Sequence, residues 1–463
     1  METQRYDLIV IGAGSAARAG ANKAAKEHGA KVALIEHERW GGSCPNVACT
    51  PTKAYLVAAD LEHKINTLAN RIGIEVGPAR TNLAQVRAWK ETLKKPQRKW
   101  VEDLQAAGFD TYPGTASFVD AHTVRVGDTE LASEKILIAT GSRTAVPPIE
   151  GIDEIDWLDN VSALELEELP ESLLVVGAGA VGLEFGQAFS RFGSNVTIVD
   201  ALDEIAPHTD AHAAMELREA LVSEGIRILL GRFVQKVAPR NGRHVATIIP
   251  REGGMEQDVE FDRLLLASGR RANIEELNLE AAGVETYKLG IAADKRMRTN
   301  VPGIWAAGDV NGQAQFTPVA QYQARIAVDD MYSPGAGPTG DYSVLPTAIF
   351  TDPELAGVGL TQTEAEEQGF EAESVVHPLR AVRRASYFDA RHGLYKIVFD
   401  SASRRVLGLH IVAPSASDIV QGLSIALRLG VTVDELAQAH HTFPTFGQGV
   451  KAAAEQARVT VPA

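Results

Sequence analysis

Residues 6–36 read YDLIVIGAGSAARAGANKAAKEHGAKVALIE, a pattern typical of a buried β-strand, a glycine turn, a helix and a second strand. Backbone N–H groups at the start of such a helix can bind a pyrophosphate. A carboxylate at the end of the second strand can accept a hydrogen bond from a ribose hydroxyl. The segment therefore predicts a dinucleotide site built on Gly12, Gly14, Ala17 and Glu36.

Residues 172–200 read SLLVVGAGAVGLEFGQAFSRFGSNVTIVD and repeat this arrangement, with Gly177, Gly179, Gly182 and then Asp200. Two such units in one chain imply two cofactors. Asp200 favours NADH, because the 2′-phosphate of NADPH would meet a carboxylate and residues 199–207 supply no Arg or Lys to offset it. A helix-capping or surface role is the alternative for Asp200.

Length and composition indicate a globular protein of several domains. The 463 residues are 45% hydrophobic and 23% charged, which is enough apolar material for more than one core. Sixty acidic against forty-five basic residues give a net charge of −15, which disfavours nucleic acid and anionic lipid as partners. The N-terminus lacks a signal-peptide pattern and no apolar run reaches about 18 residues, so we expect a soluble, cytoplasmic protein.

The rest of the chain shows two kinds of secondary-structure pattern. Strands followed by glycine turns are expected at residues 136–141, ending at Gly141, and around residues 305–312. After a linker-like stretch at residues 334–340, the pattern changes to antiparallel strands from about residue 345, followed by helices near residues 419–429 and 449–456.

Residues 40–56 read WGGSCPNVACTPTKAYL and contain the only two cysteines of the sequence, Cys44 and Cys49. Pro51 predicts a helix running through Lys53, so both sulfurs would lie near a helix N-terminus, which lowers a thiol pKa. This predicts redox chemistry. The alternatives are two inert buried cysteines, or half of a zinc site whose other ligands have no matching Cys or His pair.

The motifs of the chain, including this cysteine loop, resemble those of the class I pyridine nucleotide-disulfide oxidoreductases. This is the family of dihydrolipoamide dehydrogenase, glutathione reductase and mercuric reductase. The resemblance covers nearly the whole chain and rests on GAGSAA, GGSCPNVACTPTK, ATGSR, GAGAVGLE, AAGDV and FTDPELAGVGLT. It implies FAD, a nicotinamide coenzyme, an electron route from NAD(P)H through FAD to a disulfide, and a homodimer.

The resemblance also implies the architecture, an α/β fold with two Rossmann-like dinucleotide-binding domains and a C-terminal α+β dimerisation domain. The expected boundaries are residues 1–150 and 275–340 for the FAD-binding domain, 151–274 for the NAD-binding domain and 345–463 for the dimerisation domain.

Site residues follow from the same resemblance. Cys44 and Cys49 would form the redox-active disulfide, with Cys49 facing the flavin and Cys44 as the interchange thiol. Lys53 would pair with Glu184 at the flavin edge, an exposed surface ion pair being the alternative. The residues implied for FAD binding are Gly12, Gly14, Ala17, Glu36, Gly42, Ser43, Lys53, Gly141 and Asp309.

One family feature is missing. Members typically carry a His and a Glu near the C-terminus that act on the partner subunit's interchange thiol as an acid–base pair, but aligning HHTFPTFGQGVKAAAEQ puts Phe443 and Gln448 there. Whether His440 or His441 replaces the base stays open. We expect slow turnover of ordinary disulfides, and we expect an apolar Phe443 from the partner to raise the pKa of Cys44.

Phe443, the cysteine loop and Arg18 together resemble the 2-oxopropyl coenzyme M oxidoreductase/carboxylase branch of the family. In that branch an Arg matching Arg18 binds a sulfonate. The resemblance implies a small, anionic, sulfur-containing acceptor, although the branch has His at the position of Gln448 and prefers NADPH. A solvated Arg18, or one contacting an FAD phosphate, is the alternative. Other hypotheses are a mercuric-reductase-like metal reductase, a dihydrolipoamide dehydrogenase-like enzyme and a redox sensor; we expect no resident metal.

Overall fold

The computed structural model describes residues 3–460. The chain forms two compact units. The first comprises the residues up to Pro51 together with Ala88–Ala145 and Gly269–Asp341, and the second comprises Thr52–Arg87, Val146–Ser268 and the residues from Tyr342 onward.

Strands are numbered here in chain order. They are β1 (Gln4–Arg5), β2 (Leu8–Ile11), β3 (Val32–Glu36), β4 (Asp110–Pro113), β5 (Ala116–Asp120), β6 (Thr123–Val126), β7 (Thr129–Ala132), β8 (Ile136–Ile138), β9 (Ser142–Thr144), β10 (Ser172–Val176), β11 (Asn195–Val199), β12 (Arg227–Leu229), β13 (Arg232–Arg240), β14 (Arg243–Pro250), β15 (Gln257–Phe261), β16 (Arg263–Leu266), β17 (Arg270–Ala272), β18 (Thr286–Tyr287), β19 (Gly290–Ile291), β20 (Ile304–Ala306), β21 (Thr347–Ile349), β22 (Glu354–Gly359), β23 (Ala372–Pro378), β24 (Leu394–Asp400) and β25 (Val406–Ala413).

The α-helices are α1 (Ser15–His28), α2 (Ser43–Val47), α3 (Cys49–Lys64), α4 (Leu83–Thr92), α5 (Gln97–Ala106), α6 (Ala180–Phe192), α7 (Ala211–Ser223), α8 (Leu279–Ala282), α9 (Thr317–Tyr332), α10 (Gln362–Glu367), α11 (Ala385–Phe388), α12 (Ala416–Arg428), α13 (Val433–Gln438) and α14 (Gln448–Thr460).

The first unit is built on a parallel five-stranded sheet in the order β20-β8-β2-β3-β4. β2 is buried at all four positions, and β3 at four of its five, as their continuous runs of aliphatic residues require in a sheet covered on both faces. β2, α1 and β3 form the predicted βαβ unit, with both strands at the predicted ends. A four-stranded sheet, β1-β7-β6-β5, completes the unit together with small two-stranded ladders.

The second unit contains the second parallel sheet, β12-β11-β10-β16, in which β10, α6 and β11 repeat the βαβ unit. An antiparallel sheet, β13-β14-β15, is joined to it along the chain. After residue 345 the strands form an antiparallel five-stranded sheet, β21-β22-β25-β24-β23. The predicted change to antiparallel strands after about residue 345 is therefore confirmed. The helix expected near residues 419–429 begins earlier, at Ala416.

The fold is the predicted α/β class, with two Rossmann-like sheets and a C-terminal α+β region. The domain boundaries stay a prediction. Within residues 3–460, no helix combines the length and the apolar character that a membrane crossing requires.

Candidate functional site

The first glycine loop connects β2 to α1. Gly12 has φ +112°, and a Cβ there would overlap the carbonyl of Ala139, so only glycine fits this turn. The N-cap of α1 is Gly14, which provides no side-chain hydrogen bond to the first turn of the helix. The first N–H groups of α1 are thus left for a phosphate, and the buried Ala17 is the third residue of this helix.

Glu36 ends β3 beside this loop. Its Oε2 accepts a hydrogen bond from the Ala13 N–H at 2.9 Å, and its Oε1 accepts from the N–H groups of Glu38 (2.8 Å) and Arg39 (3.1 Å). Each carboxylate oxygen has two lone pairs, and Oε2 accepts only this one hydrogen bond within the described part of the chain. Oε2 can therefore also accept a hydrogen bond from a ribose hydroxyl.

The second glycine loop has the same construction. Gly177 has φ +113° and a Cβ there would overlap the carbonyl of Ala267, while Gly182 lies directly against the carbonyl of Gly177. The N-cap of α6 is Gly179, again without a side-chain cap. Asp200 follows β11 directly, and its carboxylate accepts hydrogen bonds from the N–H groups of Ala178 at 2.6 Å and of Leu202 at 2.8 Å.

Two further predicted FAD positions lie against this framework of the first unit. Gly42 has φ +76°, and its Cα packs so closely on Gly14 that a Cβ would overlap the Gly14 backbone; the exposed Ser43 follows and begins α2. Gly141, with φ +72°, forms the turn between β8 and β9.

The carboxylate of Asp309 is held by residues that the sequence analysis did not identify. Its Oδ2 accepts a hydrogen bond from Ser142 Oγ at 2.6 Å, and Arg270 Nε lies 3.8 Å from the same oxygen. Arg270 Nε also donates to Ser142 Oγ at 2.7 Å. This network orients an acidic group next to the Gly141 turn.

Cys44 and Cys49 lie on consecutive short elements, Cys44 in α2 and Cys49 as the first residue of α3. In the structure both are thiols, Cys44 half-buried and Cys49 exposed. A hydrogen bond from the Cys49 thiol is the main reason that the pKa of Cys44 is lowered to about 6, against the opposing effect of burial; the Thr317 hydroxyl and the charge of Arg18 lower it further. A thiol with a lowered pKa is the nucleophile that disulfide exchange requires, and Cys44 has this property.

Within the chain itself, the hydrogen bond from Cys49, the Thr317 hydroxyl and the charge of Arg18 lower the pKa of Cys44. The opposite effect expected of Phe443 from the partner subunit stays a prediction. Arg18 is partly buried, with its guanidinium carbon 4.6 Å from the centre of the Trp100 ring. Burial lowers the pKa of Arg18 and the charge of Cys44 opposes this, but a guanidinium stays protonated.

Lys53 lies one helical turn after Cys49 in α3, and its Nζ donates to Glu184 Oε2 at 2.7 Å. Glu184 is only 5% exposed, unlike one member of an exposed surface ion pair. Phe350, which the sequence analysis missed, contacts both partners: its N–H donates to Glu184 Oε1 at 3.0 Å, and its ring centre lies 4.2 Å from Lys53 Nζ.

The two positions predicted to lack the family's acid–base pair, Phe443 and Gln448, lie in the second unit. Phe443 is 67% exposed, and Gln448 begins α14. His440 is exposed and His441 is half-buried. Arg384, another residue that the sequence analysis missed, donates to the carbonyl of Pro444 at 3.3 Å.

Among residues 3–460, no group of three or more His, Cys, Asp and Glu side chains is arranged to hold a metal ion. The chemistry of the first unit fits FAD instead. It combines an uncapped helix start at Gly14, a carboxylate at Glu36 and a second oriented carboxylate at Asp309.

Comparison with known proteins agrees with this geometry. Residues 6–324 match the pyridine nucleotide-disulphide oxidoreductase family, and residues 345–454 match its dimerisation domain. The chain is 36% identical to a mercuric reductase of Staphylococcus aureus, over 97% of this chain and 82% of that protein. It is 35% identical to a dihydrolipoyl dehydrogenase of Thermus scotoductus, over 97% of each.

Among solved structures, the chain is similar to a Cu(II) complex of RclA, an HOCl-induced flavoprotein disulfide reductase from Escherichia coli. The TM-score is 0.87 at 29% identity, covering 98% of this chain and 100% of RclA. The chain therefore belongs to the class I pyridine nucleotide-disulphide oxidoreductases, a family of dimeric, FAD-dependent enzymes that use a pyridine nucleotide.

Proposed function

We propose that this chain is a homodimeric, cytoplasmic, FAD- and NADH-dependent oxidoreductase with a redox-active Cys44–Cys49 disulfide, acting on a small, anionic, sulfur-containing acceptor. The observation that carries the proposal is the surroundings of Cys44. Its thiol accepts a hydrogen bond from Cys49 and lies near the charge of Arg18, and its pKa is lowered to about 6. A thiolate beside a fixed cation is suited to attack a sulfur atom in an anionic molecule.

FAD, when bound, supplies the carrier that takes a hydride from the coenzyme and passes two electrons to a disulfide. The residues that would hold it are Gly12, Gly14, Ala17, Glu36, Gly42, Ser43, Lys53, Gly141 and Asp309. The second glycine loop, from Gly177 through Gly179 to Gly182, would hold the pyridine nucleotide.

The redox balance involves both sulfurs. The disulfide accepts two electrons and one proton to give a Cys44 thiolate and a Cys49 thiol. The thiolate attacks the acceptor sulfur, and a mixed disulfide forms as the bond from that sulfur to its leaving group breaks. The leaving group departs with the bonding electron pair and takes up the proton of Cys49. Deprotonated Cys49 then attacks Cys44 Sγ, which releases the acceptor as a thiolate and re-forms the Cys44–Cys49 disulfide. The net result is two-electron cleavage of the acceptor.

Anion binding is supported by two hydrogen-bond donors. Arg18 Nε and Trp100 Nε1 are both buried, and neither has a hydrogen-bond partner within residues 3–460. Both groups are donors only, so an acceptor oxygen would satisfy them, and unsatisfied buried donors are costly. A carboxylate or sulfonate supplies such oxygens together with a charge opposite to that of Arg18.

The predicted lack of an acid–base pair at Phe443 and Gln448 limits which acceptors the enzyme can reduce rapidly. Neither side chain can exchange a proton with a leaving thiolate at neutral pH, and a positioned acid–base group contributes about 10²–10⁴-fold. We infer that ordinary disulfides are poor substrates, so that a lipoamide- or glutathione-reducing role is the weaker hypothesis.

Reduction of a metal ion is a second candidate function. It is favoured by the relatives named mercuric reductase and by the Cu(II) complex of RclA. Against it, the sequence has no cysteine beyond Cys44 and Cys49 to deliver a soft metal, and Arg18 adds positive charge near the thiolate. A redox sensor without turnover is a third candidate, distinguished by whether NADH is consumed continuously.

An acceptor screen tests the proposal. The FAD-loaded homodimer is mixed with NADH and, in parallel, with alkylthio-sulfonates, alkylthio-carboxylates, neutral thioethers of the same size, lipoamide, glutathione disulfide, Hg²⁺, Cu²⁺ and quinones. We expect turnover with an anionic thio-compound and little with its neutral analogue. Rapid lipoamide or glutathione disulfide turnover would contradict the proposal, and turnover with Hg²⁺ or Cu²⁺ alone would favour the second candidate.

A further inference from the structure

Arg251 lies beside the end of the second nucleotide-binding strand, although it comes from a different part of the chain. It follows β14, whereas Asp200 follows β11. Its guanidinium donates to the carbonyl of Ala201 at 3.1 Å and to Asp203 Oδ2 at 2.7 Å. An arginine thus contacts the two residues that lie one and three positions after Asp200.

The backbone holds this arrangement in place. The N–H of Arg251 donates to the carbonyl of Gly231 at 2.8 Å, and the N–H of Gly231 donates to the carbonyl of Leu202 at 2.8 Å. Asp200 is itself fixed, since its two carboxylate oxygens accept from the N–H groups of Ala178 and Leu202. Main-chain hydrogen bonds therefore fix the backbone of Arg251 relative to Asp200, whereas its guanidinium is held by the Ala201 carbonyl and the Asp203 carboxylate.

This region is where NADH and NADPH differ. In a dinucleotide fold the carboxylate after the second strand meets the ribose 2′-hydroxyl, and an arginine nearby accommodates a 2′-phosphate. The segment after β11 has no Arg or Lys of its own, which by itself favours NADH. Arg251 brings a cation to that segment that its local sequence does not contain.

Asp203 decides whether that cation is available. The Arg251–Asp203 ion pair is exposed at both ends. The hydrogen bond to Asp203 and the charge of Asp203 raise the pKa of Arg251, and the charge of Glu252 raises it further. Exposed ion pairs contribute little to stability, so the pair separates readily. A phosphate offers an arginine two parallel hydrogen bonds and a larger negative charge than a carboxylate.

We propose that Asp203 and Arg251 are determinants of coenzyme choice: Asp203 holds and neutralises an arginine that otherwise binds the 2′-phosphate of NADPH. In the natural chain Asp203 supports the preference for NADH that Asp200 establishes. This inference rests on the proposed function, in which the loop from Gly177 to Gly182 binds the coenzyme.

Binding of two small probes to the FAD-loaded protein tests this by calorimetry. Adenosine 2′,5′-bisphosphate and adenosine 5′-monophosphate differ only in the 2′-phosphate. The variants are Asp203→Asn, Arg251→Gln and the double variant. Asp258→Asn is the matched control, since Asp258 forms a similarly exposed pair with Arg240 at 3.3 Å in the adjoining sheet.

We expect Asp203→Asn to shift the ratio of the two affinities towards the bisphosphate by at least about fivefold, and Arg251→Gln to shift it the other way. In the Arg251→Gln background the Asp203→Asn shift should fall below about twofold, because the arginine that it releases is gone. Asp258→Asn should leave the ratio unchanged. The kcat/KM ratio of NADPH to NADH for flavin reduction should follow the same order.

A shift from Asp203→Asn that persists without Arg251, or that Asp258→Asn reproduces, would show a general charge effect and overturn the inference. An unchanged ratio in Asp203→Asn would overturn it as well. Failure of the natural enzyme to bind either probe and to be reduced by NADH would instead contradict the proposed function. The two failures are distinguishable, because NADH reduction of the flavin is measured separately in every variant.

Discussion

The guanidinium of Arg18 stacks on Trp100 at 4.6 Å from the ring centre, and Arg18 Nε and Trp100 Nε1 are both buried with no hydrogen-bond partner within residues 3–460. Lys95 Nζ lies 4.2 Å from the same ring centre. The aromatic ring thus contacts two cations. One of them, Arg18, lowers the pKa of Cys44. A residue outside every sequence motif, Trp100, therefore orients the charge beside the proposed nucleophile.

Replacement of Arg18 tests the anion site. We expect Arg18→Ala to raise KM for the anionic acceptor by about tenfold or more, because a charged hydrogen bond contributes about 1.5–3 kcal/mol. FAD content and the rate of flavin reduction by NADH should stay the same. Arg18→Lys should restore binding only in part, since an ammonium lacks the planar fork of a guanidinium. Loss of FAD from Arg18→Ala would show that Arg18 contacts the cofactor instead.

The pH dependence of Cys44 alkylation tests its surroundings. Because the chain has only two cysteines, Cys49→Ser and Cys49→Ala each leave Cys44 as the sole thiol. The thiolate is the reactive form, so the rate rises as pH increases through the pKa, which is about 6 in the intact pair. Cys49→Ser keeps a hydroxyl donor and should keep the midpoint low, whereas Cys49→Ala should move it up towards the usual thiol value of about 8.5. Midpoints near that usual value in both variants would contradict the assignment.

Restoring the family's acid–base pair tests the positions of Phe443 and Gln448. The double variant Phe443→His with Gln448→Glu supplies a base and its orienting carboxylate, so reduction of lipoamide or glutathione disulfide should rise by at least about tenfold. Each single variant serves as a control and should gain less. A folded, flavin-loaded double variant with no gain on several disulfides would show that Phe443 does not occupy the catalytic position.

The second glycine loop offers a matched pair of substitutions. Gly177 has φ +113° and no room for a Cβ, whereas Gly179 has φ −81° and nothing within 4 Å of an added Cβ. We expect Gly177→Ala to lower the free energy of unfolding by about 1–3 kcal/mol or more. Gly179→Ala should leave the Tm nearly unchanged but weaken NADH binding, since its Cβ would meet the approaching pyrophosphate. Equal effects on Tm would contradict this division of roles.

Local sequence determines much of this structure. The strand Leu8–Ile11 and the end of the next strand at Glu36 were predictable, because a run of buried aliphatic residues bounded by a glycine turn specifies a covered parallel strand. The helix through Lys53 was predictable for another reason, because proline favours the first turn of a helix; Pro51 is the third residue of α3.

Contacts between distant parts of the chain were not predictable. Within the first unit, Thr317 and Trp100 contact Cys44 and Arg18 from other elements, and no local pattern marks them. Within the second unit, the same holds for Phe350 beside Glu184 and for Arg251 beside Ala201. The groups that lower the pKa of Cys44 within its own chain show this, because Thr317 and Arg18 are both far from Cys44 in the sequence.

A thiol count tests the central claim, that Cys44 and Cys49 carry the electrons of NADH. The chain has two cysteines, so the oxidised enzyme, denatured without reductant, should show no reactive thiol. After anaerobic addition of one equivalent of NADH per FAD and removal of excess coenzyme, denaturation should release close to two thiols per subunit. A Cys44→Ser variant should show one thiol in both states. Two thiols before NADH is added, or none gained after it, would contradict the account.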